Sequence, residues 1–537
     1  RVVVQRDGTI APPRWGEPGW ESLDVEAARS AHAELAGLPT ARARKRITEL
    51  LRESGHLVGE PTPIRHAVKF YERGERPLEV VSSRQWFVKT IELRDRLLEL
   101  GGELRWHPAH MGARYRSWVE GLNGDWCVSR QRFYGVAFPV WYRLDEDGVA
   151  DHEHPLVPGE DRLPIDPSAD VPDGFAEEQR GRPGGFVGDP DVMDTWATSS
   201  LTPQIAGHWE EDDGLFERVF PMDMRPQAHE IIRTWLFYTV LKSYLEHDAL
   251  PWTDAAISGF VMDPDRKKMS KSKGNVVTPT EMFASHSPDA VRYWAASSRL
   301  GIDTIFDEQQ MRVGRRLAIK LLNASRFALA SLEGEGGEVT DPLDRSMLAR
   351  LSNVVADTTR AFDDYDHAKA LEVSEQFFWG FTDDYLELVK GRAYGSHGPE
   401  AAASAIASLR LALSVLLRLF APFLPYVTEE VWSWWREGSI HRAAWPRVEE
   451  LAEGSAGGDP VVYEVAAWVL GEVRKAKALA KRSLRSDVER IVVRDAGDRL
   501  TVLRGVERDV REAGNVGAVE TAEADEPGVE VLLAPPD

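Results

Sequence analysis

The feature that most constrains the fold is a change of hydrophobic period near residue 312. Before it, between residues 111 and 310, apolar runs at 218–222 and 255–262 alternate with helical patterns at 228–246 and 289–298. Strand and helix alternating at this spacing predict a parallel α/β sheet. After it, apolar residues recur at helical spacing to about residue 435, with Pro422 and Pro425 as breakers behind 401–420, which predicts an all-α bundle over 311–455. Residues 456–537 return to mixed character, with a basic helix, a strand at 490–494 and a Glu-rich end, and read as a small α+β appendage. Residues 1–60 hold a short apolar strand, a Pro12-Pro13 turn and a helical pattern over 41–52 stopped at Gly55, which is the tail of a domain. Residues 61–110 form a connecting segment with a helix near 89–100, and 145–190, rich in Pro, Gly, Asp and Glu, reads as a long surface excursion.

Composition sets the class. The chain has 537 residues, 65 basic and 87 acidic side chains and 43% apolar residues, enough for about three to five domains with their own cores. One cysteine, Cys127, closes no internal disulfide and cannot complete a structural zinc site, which fits a reducing, cytoplasmic compartment. His107 with His110, or His152 with His154, gives only isolated pairs, so no zinc is expected. No run of 18 apolar residues occurs, and no membrane partner is expected.

A net charge of -22 opposes nonspecific binding to a phosphate backbone over the whole surface, because counterion release needs Lys and Arg facing the phosphates. Local runs reverse the sign. Five of the eight residues from Arg266 to Lys273 are basic, with no acid. On the following helix Arg312, Arg316 and Lys320 share one face by their spacing of four. A third run, 472–490, carries seven basic residues against three acidic ones. Charge alone fits a solvated surface as well as a polyanion site.

The sharpest string is Lys268-Met269-Ser270-Lys271-Ser272-Lys273-Gly274-Asn275-Val276-Val277, which follows a strand and an Asp263-Pro264-Asp265 turn. Ammonium groups on a Gly- and Ser-containing loop make a cationic clamp for the charge on a transferring nucleotide phosphate. The full string resembles the signature loop of the class I aminoacyl-tRNA synthetases. Three further strings are similar to the valyl and isoleucyl branch of that family, and the second is closer to its valyl version. They are Asp125-Trp126-Cys127-Val128-Ser129-Arg130-Gln131, Asp191-Val192-Met193-Asp194-Thr195-Trp196, and Phe423-Leu424-Pro425-Tyr426-Val427-Thr428-Glu429-Glu430.

The resemblance implies a Rossmann-like catalytic portion over 111–310 followed by an anticodon-binding bundle. The activity implied is ATP-dependent activation of valine and transfer to tRNA(Val), with isoleucine the alternative and a noncatalytic tRNA-binding fragment the rival. It implies that Lys268 and Lys271 are catalytic, that ATP, arriving with Mg²⁺, meets Lys268, Met269, Ser270, Lys271, Ser272 and Glu230, and that Trp196, Ile231 and Trp235 shape the amino-acid slot. Glu230 stands in an Ala228-His229-Glu230 context where the family usually has Gly-x-Asp, and His229 is taken as structural. Arg312, Arg316 and Lys320 are the expected tRNA contacts.

The family's second nucleotide signature, His-x-Gly-His, does not occur in these residues; Glu53-Ser54-Gly55-His56 and His107-Pro108-Ala109-His110 come nearest. Residues 1–60 are therefore expected to be the end of an editing insertion, and the chain the C-terminal portion of a longer synthetase. By itself it is expected to bind tRNA(Val) weakly and to form no adenylate.

Overall fold

The computed structural model describes residues 2–64, 66–70, 78, 82–270, 274–330 and 337–535. The chain divides into two compact units, one of residues 1–92 and 123–198, the other of residues 93–122 and 199–537.

In the first unit, helices Val25–Ala33 and Thr40–Glu53 precede three short antiparallel ladders. Phe87–Val88 pairs with Trp126–Cys127, Ser129–Arg130 with Val192–Met193, and Trp141–Arg143 with Phe186–Gly188. The last pair closes the excursion at its base, where Phe186 and Trp141 are buried. The short apolar strand expected within residues 1–60 is reduced near the start to a bridge from Val4 to Ile10, because no neighbouring strand extends the pairing.

The second unit opens with α1 (Arg94–Glu103), β1 (Arg105–His107) and α2 (Gly112–Glu120). It continues after the first unit with β2 (Met222–Ala228), α3 (Phe237–His247) and β3 (Trp252–Ser258). The sheet order is β1-β3-β2 and both pairings are parallel, as the alternating pattern predicted. The strand expected at 218–222 lies further on: residues 213–219 are a helix, and the strand is Met222–Ala228. Pro226, Arg225 and Gln227 hid it, since a proline and two buried polar residues break the apolar signal. The run at 255–262 is also two pieces, with Gly259 between them. A Cβ there would stand 2.2 Å from the Ile302 carbonyl oxygen, so the chain crosses at a position only glycine fills.

The bundle follows α4 (Pro288–Ala296) and comprises α5 (Glu308–Ala330), α6 (Pro342–Asp363), α7 (His367–Gly380), α8 (Leu386–Ala393), α9 (Pro399–Phe420) and α10 (Pro425–Ser433). Asp341 and Asp366 accept backbone N–H groups at the starts of α6 and α7. The Asp289 carboxylate of α4 receives the Tyr426 and Val427 N–H groups at 3.0 and 2.8 Å, and so caps α10 from another helix. α9 is long and apolar enough to cross a membrane, but 72% of its most apolar window is buried inside the protein, as in the core helix of a globular bundle. The appendage packs α11 (Pro460–Leu479) and α12 (Gly497–Gly514) with β4 (Val488–Asp495), β5 (Val516–Glu523) and β6 (Gly528–Leu533). Its sheet order is β5-β4-β6, parallel then antiparallel.

Candidate functional site

Parallel sheets place ligands beyond the carboxyl ends of their strands. Beyond β2 the chain turns through His229-Glu230-Ile231, and beyond β3 it reaches Phe260 and the Lys268 loop. These two exits face a cleft of about 730 Å³ lined by Glu230, Lys268, Phe260, Arg233, Arg114 and Trp118. The Lys268 ammonium is paired with the Glu230 carboxylate, and it lies 4.1 Å from the centre of the Phe260 ring. Both partners are partly exposed, so the pair is open to water and exchangeable. His229 packs edge-on against Phe260, with Asp303 3.7 Å from its Nε2.

The loop is clasped at its base. Asn275 donates from Nδ2 to Asp263 at 2.8 Å and accepts the Ser270 N–H at 2.9 Å. Asn275 and the Lys267 N–H hold the Asp263 carboxyl below the usual carboxylate range. Met269 and Ser270 are half-buried, whereas Lys271 and Ser272 lie outside the described residues.

Trp235 and Ile231 sit on the irregular turn between β2 and α3, half-buried. The Trp235 indole N–H donates to the Ser199 carbonyl at 2.8 Å. The Arg225 guanidinium carbon lies 2.9 Å from the centre of the Trp235 ring and 5.1 Å from the centre of Trp252. Arg225 is buried, and desolvation pulls its pKa down to about 10. Sequence reasoning missed Arg225, since its burial behind Trp235 leaves no local signal. Trp196 belongs to the first unit, on the turn after Val192–Met193. There the two quoted strings meet: Asp194 accepts from Arg130 at 3.0 Å and from Trp126 at 3.3 Å, and Gln131 donates to Asp191 at 2.8 Å.

On α5, Arg312 and Arg316 are exposed, while Lys320 is paired with Asp383 at 2.8 Å. Among the described residues no three His, Cys, Asp or Glu side chains converge as a metal site.

The arrangement suits a nucleotide: a carboxylate at the end of β2 for a ribose diol, cations for phosphates, and a ring beside them. Residues 24–307 match the family described as tRNA synthetases class I (I, L, M and V), and residues 344–492 match the anticodon-binding domain of tRNA ligase. The valine–tRNA ligase of Thermobifida fusca is 58% identical over all of this chain and 61% of its own length. That of Salinispora arenicola is 54% identical over 98% of this chain and 64% of its own. The chain thus spans less than two thirds of these relatives. Among solved structures, the LeuRS–tRNA–LeuAMS ternary complex of Agrobacterium radiobacter aligns with a TM-score of 0.50 at 21% identity, over 61% of this chain and 43% of that one, a likeness of fold.

Proposed function

This chain belongs to the class I tRNA synthetases, and from that membership we propose that the protein is a valine–tRNA ligase. The observation that carries the proposal is 58% identity along the whole chain to a ligase of that name. The reaction joins valine to ATP and then to tRNA(Val). A valine carboxylate oxygen attacks the α-phosphorus of ATP supplied with Mg²⁺, the bond to the β-phosphate breaks, and pyrophosphate leaves. The terminal ribose hydroxyl of tRNA(Val) then attacks the valyl carbonyl and AMP departs.

In the first step Lys268, released from Glu230, meets the phosphate charge as it develops, and Lys271 on the same loop joins it. Glu230, freed in exchange, accepts from the ATP ribose. The Asp263–Asn275 clasp holds the loop root. Ile231 and Trp235 line the valine slot, with Arg225 holding the Trp235 ring in place. In the second step the bundle bears the tRNA, with Arg312, Arg316 and Lys320 facing phosphates. A translation enzyme with a single cysteine suits a reducing, cytoplasmic compartment.

The test is amino-acid-dependent ATP–pyrophosphate exchange by the full-length protein. Valine should drive exchange, with threonine admitted and isoleucine excluded by size. Faster activation of isoleucine than of valine would overturn the assignment.

A further inference from the structure

The half-buried ring of Phe260 lines the cleft at the exit of β3, and neither step of the proposed reaction uses it. Its backbone is fixed from both sides. The Phe260 N–H donates to the Asp303 carboxylate at 2.8 Å, and the Phe260 carbonyl accepts the Thr304 N–H at 2.8 Å. Gly259 allows this seat, because a glycine there lets the chain at Ile302 pass close enough for Asp303 and Thr304 to reach Phe260. Asp303 also stands 3.7 Å from His229 Nε2, and the His229 ring meets the Phe260 ring at 65° with centroids 4.3 Å apart. Three segments, the turn after β2, the exit of β3 and the stretch at 303, thus set the place of one ring.

What the ring holds is the Lys268 ammonium, 4.1 Å from its centre and paired at the same time with Glu230. The two contacts differ in what they leave for a substrate. A carboxylate neutralises the ammonium and must give way before a phosphate can use the charge. A ring face attracts the cation through its quadrupole, carries no net charge, and leaves the N–H groups turned away from it free to donate. The ring can therefore keep Lys268 in place through the exchange that frees Glu230.

We propose that Phe260, braced by His229, is a positioning residue for Lys268: its ring keeps the ammonium at the cleft as Glu230 lets go, so that the charge meets the phosphate already in place. The inference rests on the ligase proposal for the step it serves, but the seat itself is built from this chain's own residues. A charge that is already placed when the reaction begins acts on the transition state without reorganisation, so loss of the seat falls on kcat. Valine binding should be indifferent, because Ile231 and Trp235 take no part in the seat.

The experiment uses the full-length protein and valine-dependent ATP–pyrophosphate exchange. Phe260→Leu should lower kcat by about 2- to 30-fold, the range for one cation–π contact from an exposed to a desolvated site, with the KM for valine unchanged. Phe260→Tyr should restore most of the rate, since a phenol keeps the ring face. His229→Leu should lower kcat by a smaller factor. In a Lys268→Ala background Phe260→Leu should cost nothing further, whereas a ring that only fills space would cost the same with or without the lysine. A second readout needs no activity: acetylation of Lys268 by an N-hydroxysuccinimide ester, followed by mass spectrometry, with the exposed Lys89 as internal reference. The ring covers one side of the ammonium, so labelling of Lys268 should be faster in Phe260→Leu and unchanged in Phe260→Tyr. A wild-type kcat in Phe260→Leu, an equal fractional loss with and without Lys268, or unchanged labelling would overturn the proposal. A wild-type protein in which valine drives no exchange defeats the ligase assignment alone, since labelling still decides whether the ring seats Lys268.

Discussion

At the scale of single residues, the cleft holds charges that are paired with one another and that the proposed reaction requires to part. Lys268 is paired with Glu230, and both are exposed enough to exchange partners. Lys268→Ala should lower the adenylation rate of the full-length protein by about 10² to 10³, the usual loss for one preorganised donor. Its melting temperature should stay unchanged, because the side chain packs into no core. Exchange at the wild-type rate would remove Lys268 from the site. Asn275→Ala tests the clasp: the kcat of activation should fall while the KM for valine holds, since the side chain touches the loop and not the slot. Lys268 and the loop string were legible in the sequence because a ten-residue motif needs no tertiary context, whereas Glu230 lies outside that motif and only its ion pair with Lys268 joins it to the loop. Arg225 was not, because nothing local distinguishes a buried strand arginine from a surface one; only the rings of Trp235 and Trp252, brought by other elements, make it a plate.

At the scale of elements, the appendage is bolted to the bundle by a buried ionic cluster. Arg392 of α8 forks onto Asp344 of α6 at 2.7 and 2.8 Å and reaches Asp509 of α12 at 3.1 Å, while Tyr385 and Ser404 each donate to Asp344 at 2.7 Å. Removing one partner of such a pair strands the other, so Arg392→Met should destabilise the protein by about 3 to 5 kcal/mol, read by denaturant unfolding. Asp341, Asp344 and Asp509 share this one guanidinium, and burial pushes Asp509 up from 3.8 to about 6. Its folded value lies above its unfolded one, so its contribution to stability is full below about pH 4 and is lost as pH rises through about 6. Asp509→Asn, which mimics the protonated form, should therefore gain on the wild type in melting temperature between pH 4.5 and about pH 7. A constant difference across that range would place the titration elsewhere.

At the scale of the whole molecule, a net charge of -22 coexists with a tRNA partner only if cations are gathered on one surface. Arg312 and Arg316 are the exposed pair, and replacing both with Ala should reduce the salt slope of tRNA binding by about 2, without affecting pyrophosphate exchange. An unaltered slope would leave them as solvated charges. The sequence by itself determined the parallel sheet, the helical bundle after residue 312 and the family, because hydrophobic period and ordered motifs are properties of the chain alone. It misplaced β2, where Pro226 and two buried polar residues broke the apolar pattern, and it read a short strand near the start of the sequence where the structure has only a bridge from Val4 to Ile10. Tertiary structure alone decided which charges are spent on one another: Lys320 is tied to Asp383 while Arg316 on the same face stays exposed. It alone gathered Arg326 and Arg436, more than a hundred residues apart, onto a row of tryptophans. The physical reason is that spacing fixes the face of a helix on which a side chain stands, but the neighbour that neutralises or stacks on it comes from distant chain, through packing that leaves no local mark.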